Sequence, residues 1–246
     1  MDDVSPLRHR EVKTYFDVIA KGGSERLLNA RSFHNLGEWA HEDYASLCEI
    51  LDSTNATSSF SFLGREANRF ANTINMLDAA GHEIVLHGYR HVACESIPYD
   101  VAHENITRGL AAIEDATGVT PAGFIAPRQT VNRETLAVLD ELDFSWVLGT
   151  TDAEIPAGLD WMEPLHPYDL IILNNGATPA ETFATLTDQS SGDVAHLVHP
   201  NMIEYYDGLS EFAKWIGDIQ PTTIGSVMDT GGIGMICDAM RPLRIE

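Results

Sequence analysis

The stretch EIVLHGYRH, residues 83–91, decides the fold class, because it predicts a buried strand that runs directly into a pair of histidines. Similar short apolar or β-branched runs alternate with helical patterns after the first 30 residues of the chain. The predicted strands cover residues 57–63, 83–86, 122–126, 144–148, 169–173, 194–198 and 222–227. The predicted helices cover residues 65–80, 99–117, 132–142, 179–186 and 206–219.

This order of elements predicts an α/β fold, a (β/α) barrel with about seven parallel strands, because parallel strands need crossover helices and a chain of 246 residues suits one closed barrel. We expect the barrel to comprise residues 31–230, preceded by an N-terminal extension at 1–30 and followed by a C-terminal tail at 231–246. In such a barrel the active site lies at the carboxyl ends of the strands.

The chain is strongly acidic, with 15 Lys and Arg against 37 Asp and Glu and a formal net charge of −22. Lysine occurs only at Lys13, Lys21 and Lys214. High salt screens the self-repulsion of such a surface, so we expect a salt-adapted, halophilic protein; an ordinary acidic enzyme is the alternative. The same charge argues against DNA or RNA, whose phosphates bind clustered Lys and Arg, and against an anionic membrane surface.

The sequence contains no apolar run near the ~20 residues that span a bilayer. Its first residues, MDDVSP at 1–6, are acidic and lack the apolar segment of a signal peptide, so we expect a cytoplasmic protein. The cysteines form no CxxC pair, which argues against a disulfide framework or a cysteine zinc site; they are Cys48, Cys94 and Cys237.

His87 and His91 follow the predicted strand 83–86 and are four residues apart. Two imidazoles at this spacing face the same way if the loop turns helically, and they suit Zn²⁺ or another first-row divalent ion. Histidines at this spacing also occur on ordinary helices without a metal. The position just past a strand favours the metal interpretation.

Two further strand ends carry candidate side chains. His199 follows the strand predicted at 194–198, where an imidazole can act as a general acid; a capping or core histidine is the alternative, and His196 is predicted to be structural. Pro127 fixes the backbone after strand 122–126, and the adjacent Arg128 either faces a polar or anionic substrate group or forms a surface salt bridge.

Taken together, these motifs resemble the polysaccharide deacetylase family (the NodB-homology domain, carbohydrate esterase family 4) over most of the chain. AGHEIVLHGYRH at residues 80–91 is similar to the family's GHEIGNHTxxH pattern, and ATSSFSFLG at 56–64 stands in the place of its ATFFVLG strand. GFIAPRQTVNRETLAVLDELDF at 123–144 resembles the third motif and the helix after it, and LVHP at 197–200 falls at the late histidine motif.

The resemblance implies a distorted (β/α) barrel, zinc or another divalent metal, and hydrolysis of N- or O-acetyl groups on a carbohydrate substrate. In the family a carboxylate and two histidines hold the metal, which polarises the carbonyl and activates water. A second carboxylate acts as general base, and the late histidine protonates the leaving amine. By this resemblance His87 and His91 would be metal ligands and His199 the acid. Pro127 and Arg128 are candidate substrate contacts because of their position at a strand end.

The sequence departs from the family at the first and third motifs. Where the first motif has two adjacent aspartates, a base and a metal ligand, this chain has His34 and Asn35. His34 can accept a proton near neutral pH, and Asn35 offers a metal an oxygen without charge. The third-motif arginine falls at Ile125, so the site is remodelled as a unit. A nearby acidic residue would then supply the missing charge, with the candidates Glu38, Asp43 and Asp152.

Three functions follow from these observations. The retained histidines favour a metal-dependent deacetylase with an unusual ligand set. The joint replacement of both aspartates and the arginine favours a catalytically impaired barrel that binds glycan or another partner without turnover. A hydrolase for a different amide or ester substrate on the same barrel is the third.

Overall fold

The structure is a computed structural model of the chain, and residues 41–238 are described. The predicted N-terminal extension at 1–30 lies outside the described residues. His34, Asn35 and Glu38 of the predicted barrel also lie outside them.

Seven parallel strands form one sheet in the order β5-β4-β3-β2-β1-β7-β6. One parallel bridge between Pro164, just after β5, and Ala195 in β6 joins the two edges, and the Leu165 N–H donates to the Ala195 carbonyl at 2.9 Å. The sheet is therefore a nearly closed, distorted barrel, which confirms the predicted fold class. The strands are β1 Ser59–Phe62, β2 Glu83–Leu86, β3 Gly123–Thr130, β4 Trp146–Thr150, β5 Asp160–Met162, β6 Val194–Val198 and β7 Ile233–Cys237.

Helices connect these strands and cover the outside of the barrel. Two of them begin or end at capping residues. The Asn132 side chain caps the helix Arg133–Glu141 by accepting from the Thr135 N–H, and the helix Tyr99–Thr117 ends at Gly118, whose φ is 76°. The helices are α1 His41–Thr54, α2 Ala67–Ala79, α3 Tyr99–Thr117, α4 Arg133–Glu141, α5 Asp169–Asn174, α6 Pro179–Gln189, α7 Pro200–Tyr205, α8 Leu209–Ile219 and α9 Ile224–Thr230, with a 3-10 turn at Gly64–Glu66 before α2.

The alternation of side chains along each strand divides the apolar core into two layers. The outward-facing residues, such as Phe60, Phe62 and Phe124, pack against the helices in the larger cluster. The inward-facing residues fill the barrel and form a smaller cluster, which includes Val85, Ile125, Leu148, Leu197 and Ile236.

A polar cluster around Glu83 closes the amino-terminal end of the barrel. The Glu83 carboxylate accepts from the Ser59 hydroxyl, the Trp146 indole N–H and the Gly225 N–H. Ser59 in turn accepts from the Ile224 N–H at 2.8 Å. These bonds tie β1, β2, β4 and α9 together at the end of the barrel opposite to the predicted site.

Two of the predicted strands are wrong. Residues 169–173 belong to helix α5, and residues 224–227 to helix α9, which begins after Thr223 with the Thr223 hydroxyl accepting from the Ser226 N–H. Short apolar runs are compatible with either structure, and at α9 the Thr223 cap favours the helix.

Other boundaries shift. Strand β3 continues through Pro127 to Thr130, and the single helix predicted at 206–219 is two helices, α7 and α8. Strand β7 lies in the segment expected to be a C-terminal tail, yet it is an inner strand between β1 and β6. The sheet therefore extends past residue 230. None of the helices within residues 41–238 is both long and apolar enough to cross a lipid bilayer.

Candidate active site

Three polar side chains continue the inner face of the barrel beyond the carboxyl ends of the strands. Each lies two residues after an apolar residue of the barrel interior, and the pairs are Val85–His87, Leu197–His199 and Ile236–Asp238. Because alternate residues of a strand point to the same face, all three are directed to the mouth of the barrel.

The His87 ring is buried, and its orientation is fixed by the backbone of β3. Its Nδ1 lies 2.9 Å from the Ile125 carbonyl oxygen, which can only accept, so Nδ1 carries the hydrogen. In the neutral ring Nε2 then has a free lone pair. Nε2 is buried without a hydrogen-bond partner among residues 41–238, and the Asp238 Oδ2 lies 3.9 Å away. Metal-binding histidines commonly show this arrangement, with one nitrogen held by a carbonyl and the other left for the ion.

His91 lies at the exposed rim beside His87, and the two ring centroids are 4.8 Å apart in an edge-to-face arrangement. Desolvation lowers the pKa of His91 to about 4, the neighbouring His87 adds to the effect, and Asp238 opposes it. His91 is therefore neutral at physiological pH, which is the form that binds metals.

His199 forms a buried pair with Asp169, which lies at the start of α5 and is fully buried. Asp169 Oδ1 lies 2.8 Å from His199 Nδ1, and Oδ2 accepts from the His199 N–H at 2.6 Å. Burial alone would lower the pKa of His199, but the adjacent Asp169 carboxylate outweighs burial and the pKa is raised. With Nδ1 held by the carboxylate, Nε2 is the nitrogen that can give a proton to a substrate.

His196 differs from His199 although only two residues separate them. Its side chain faces the helices, where Nε2 lies 2.8 Å from the Ser190 hydroxyl and the ring packs edge-on against Trp215. Its position is structural, as predicted.

The end of β3 is distorted beside the site. Pro127 is buried, whereas Arg128 is exposed and forms no ion pair with another residue of the range 41–238. Arg128 and Gln129 both have φ of 61°, and the register with β4 shifts between Ile125 and Thr130. Non-glycine residues in this conformation are strained, and such strain concentrates at functional sites.

Two aspartates of the site were not singled out from the sequence. Asp169 lay within a strand that proved to be a helix, and no local motif marks it as the partner of His199. Asp238 follows the apolar run of β7 and was assigned to the tail. Recognition of that run as a strand would have found Asp238. Neither Asp43 nor Asp152 forms an ion pair with His87 or His91 within the described part of the chain.

The donor set of His87, His91 and Asp238 fits a first-row divalent ion in chemistry: two neutral imidazoles and one carboxylate. The buried, unpartnered Nε2 of His87 marks where such an ion would bind. As they stand, no three His, Cys, Asp or Glu side chains between residues 41 and 238 are grouped so that they could hold an ion. Small movements of side chains at the mouth are therefore required for binding.

The fold and these side chains define a (β/α)-barrel protein with a histidine-rich mouth. Residues 34–147 match the family model described as polysaccharide deacetylase. The resemblance to the polysaccharide deacetylase family that the motifs indicate is therefore confirmed over just under half of the chain.

Individual relatives are distant. A protein of Gibberella zeae described as "peptidoglycan deacetylase-like protein FGM2" is 24% identical over 182 residues, which cover 70% of this chain and 53% of that protein. The chain spans about half the length of the curated relatives it matches.

Solved structures share the fold. A family 4 acetyl xylan esterase from Clostridium thermocellum, in complex with a cobalt ion, has a TM-score of 0.55 at 19% identity, covering 78% of this chain and 80% of that chain. A CE4 family pseudoenzyme from Bacillus anthracis has a TM-score of 0.57 at 18% identity, covering 81% of this chain and 66% of that chain. The fold therefore occurs in both an enzyme and a pseudoenzyme.

Proposed function

We propose that this protein is a metal-dependent hydrolase that removes acetyl groups from an N- or O-acetylated sugar. The observation that carries the proposal is the buried pair of His199 and Asp169 at the mouth of the barrel. The fully buried Asp169 carboxylate raises the pKa of His199 and occupies its Nδ1, so Nε2 is the nitrogen available to a substrate, which supports proton donation.

His199 suits the role of general acid. Asp169 holds its Nδ1 at 2.8 Å and raises its pKa above that of an ordinary histidine, which favours the protonated ring. A second proton on Nε2 is then available to a leaving amine or alkoxide, which needs protonation when the acetyl group departs. The bond from the His199 N–H to Asp169 fixes the backbone as well, so the ring enters the mouth in one orientation.

His87 and His91 suit the role of metal ligands. The Ile125 carbonyl fixes the tautomer of His87, and the low pKa of His91 keeps that ring neutral. A bound zinc or other divalent ion would polarise the acetyl carbonyl and lower the pKa of an attacking water. We assign the general base to His34 on the resemblance of its position to the first family motif, and contact with the sugar to Pro127 and Arg128 at the strained end of β3.

The experiment is a measurement of acetate release by the full chain from acetylated chitooligosaccharides and acetylated xylooligosaccharides, with Zn²⁺ or Co²⁺ added. We expect release that His199→Ala reduces by about 100-fold or more, the range typical of a general acid. The matched control is His103→Ala, because His103 lies on α3 and its side chain is 39% exposed. Acetate release that survives His199→Ala would overturn the assignment.

A non-catalytic, glycan-binding barrel is the second candidate. It is favoured by His34, Asn35 and Ile125, which replace the acidic pair and the arginine of the family motifs, and by the shared fold of a CE4 family pseudoenzyme. It predicts calorimetric binding of the same oligosaccharides with no acetate release under any metal condition. Binding that is equally strong in the wild type and in His199→Ala, with no turnover in either, would support this alternative.

A further inference from the structure

Asp238 occupies a fixed position between the two histidine groups of the mouth. Its strand, β7, lies between β1 and β6, so Asp238 stands beside His199 on one side and one strand removed from His87 on the other. The Asp238 N–H donates to the Val198 carbonyl at 2.9 Å, which extends the ladder between β6 and β7 by one residue. The backbone that carries the carboxylate is therefore held by the sheet.

Two buried polar atoms near Asp238 have no hydrogen-bond partner within residues 41–238. The His87 Nε2 is one of them, 3.9 Å from Asp238 Oδ2. The other is the Ser61 hydroxyl: Phe60 pairs with Cys237, so the register places Ser61 beside Asp238 on the inner face of the sheet. A buried polar atom without a partner is unfavourable, so the two atoms together indicate that this part of the mouth is arranged for a bound group.

We propose that Asp238 is the anionic ligand of the divalent ion, with His87 and His91 as the other protein ligands. This inference rests on the proposed function, which requires the ion. It places the carboxylate ligand at the end of the last strand of the barrel and not at the positions of the first family motif, where the sequence offers only the neutral Asn35.

The distances suit this role. Two ligand atoms on one tetrahedral zinc ion, each about 2.0–2.1 Å from it, lie about 3.4 Å apart. The observed 3.9 Å between His87 Nε2 and Asp238 Oδ2 is therefore about 0.5 Å longer than in a closed site. His91 is exposed at the rim, with its ring centroid 4.8 Å from that of His87, so it can turn towards the same point.

Charge also favours Asp238. Two neutral imidazoles and an amide leave both charges of the ion uncompensated, whereas one carboxylate reduces the net charge of the centre to +1. Asp169 belongs to the pair with His199, and within residues 41–238 no ion pair joins it to His87 or His91.

The test compares metal binding by the full-length wild type and Asp238→Asn after removal of metals with a chelator. Co²⁺ is the probe, with its visible absorption and calorimetry as readouts that do not depend on turnover. Loss of a residue that only hydrogen-bonds to a metal ligand weakens metal binding by about 10–100-fold. We expect Asp238→Asn, which removes a ligand, to weaken Co²⁺ binding by at least this factor and to change the absorption band. Asp238→Glu, which keeps the charge, should recover part of the affinity.

Asp229→Asn is the matched control, because Asp229 is exposed on α9, and it should bind Co²⁺ like the wild type. Circular dichroism and thermal melts of the metal-free variants establish that each is folded. If the wild type and Asp238→Asn bind Co²⁺ equally while His87→Ala does not, the inference about Asp238 is overturned and the proposed function stands. If the folded wild type binds no Co²⁺, the metal-dependent function fails together with it.

Discussion

The replacement of Asp169 by asparagine should destabilise the protein more at low pH than at high pH. Asp169 is fully buried and accepts from the Leu170 N–H, the His199 N–H and the His199 ring. Asparagine has nearly the same shape but only one acceptor oxygen and no charge. It therefore removes the ionic partner of His199 and leaves at least one of the two backbone N–H groups without its acceptor.

The sign of the pH dependence follows from His199. Its pKa is raised in the folded protein, so the stabilisation that the protonated ring contributes is fully present below the unfolded pKa of about 6.5 and is lost as the pH rises through the folded pKa. Asp169→Asn removes this contribution. The difference in stability between the two proteins should therefore shrink on the alkaline side.

The size of the effect can be stated from the contacts. A hydrogen bond between charged groups contributes about 1.5–3 kcal/mol, and a buried N–H left without an acceptor costs about 1–3 kcal/mol. We expect Asp169→Asn to lower the free energy of unfolding by about 3 kcal/mol near pH 6 and by about 1 kcal/mol well above the folded pKa of His199. For a chain of this length the larger value corresponds to a fall in Tm of about 6–12 °C.

The assay is denaturant unfolding across this pH range for the wild type, Asp169→Asn, His199→Gln and the double variant, with Asp229→Asn as an exposed control. The double-mutant cycle isolates the coupling between the two side chains, which should exceed about 0.5 kcal/mol at low pH. A destabilisation that is the same at every pH, or a coupling energy near zero, would refute the reasoning.

Two further predictions concern the barrel and its surface. Glu83→Gln should lower the free energy of unfolding by about 2–4 kcal/mol and alter the fluorescence of Trp146, because the carboxylate joins Ser59, Trp146 and Gly225; an unchanged denaturation midpoint would contradict this. If the net charge of −22 reflects salt adaptation, the Tm should rise between about 0.1 M and 2 M KCl, because the screening length falls from about 10 Å to about 3 Å or less. A Tm that falls over this range would count against the prediction.

The sequence predicted well those elements whose ends carry local signals. Helix α3 runs from Tyr99 to Thr117 as expected, since Gly118 stops it, and Asn132 caps α4. Strands β2 and β6 also have the predicted bounds, because each is a short apolar run followed by a polar loop. These are properties that a window of a few residues contains.

The sequence predicted poorly where a short apolar run is compatible with both helix and strand. DLII at the start of α5 has the composition of a buried strand, yet it forms a helix. The first residue of this helix, Asp169, binds His199, which directly follows β6. That partnership joins residues 30 positions apart in the chain, so no local pattern could indicate it. The candidate histidines were recognised because they follow recognisable strands, whereas both aspartates were missed because their elements were misassigned.

The position of Asp238 shows why the order of motifs along the chain is an incomplete guide to the site. A carboxylate that binds a metal ion must lie at a particular point in space, and any strand that ends at the mouth of the barrel can provide it. Strand β7 is the last in sequence among the described strands but lies between β1 and β6 in the sheet, so its end faces the same opening as His87 and His199. If His34 and Asn35 stand at the first-motif positions, as the resemblance implies, the chain can still place a carboxylate between its histidines. On this argument, the altered first motif alone is not sufficient reason to regard the protein as inactive.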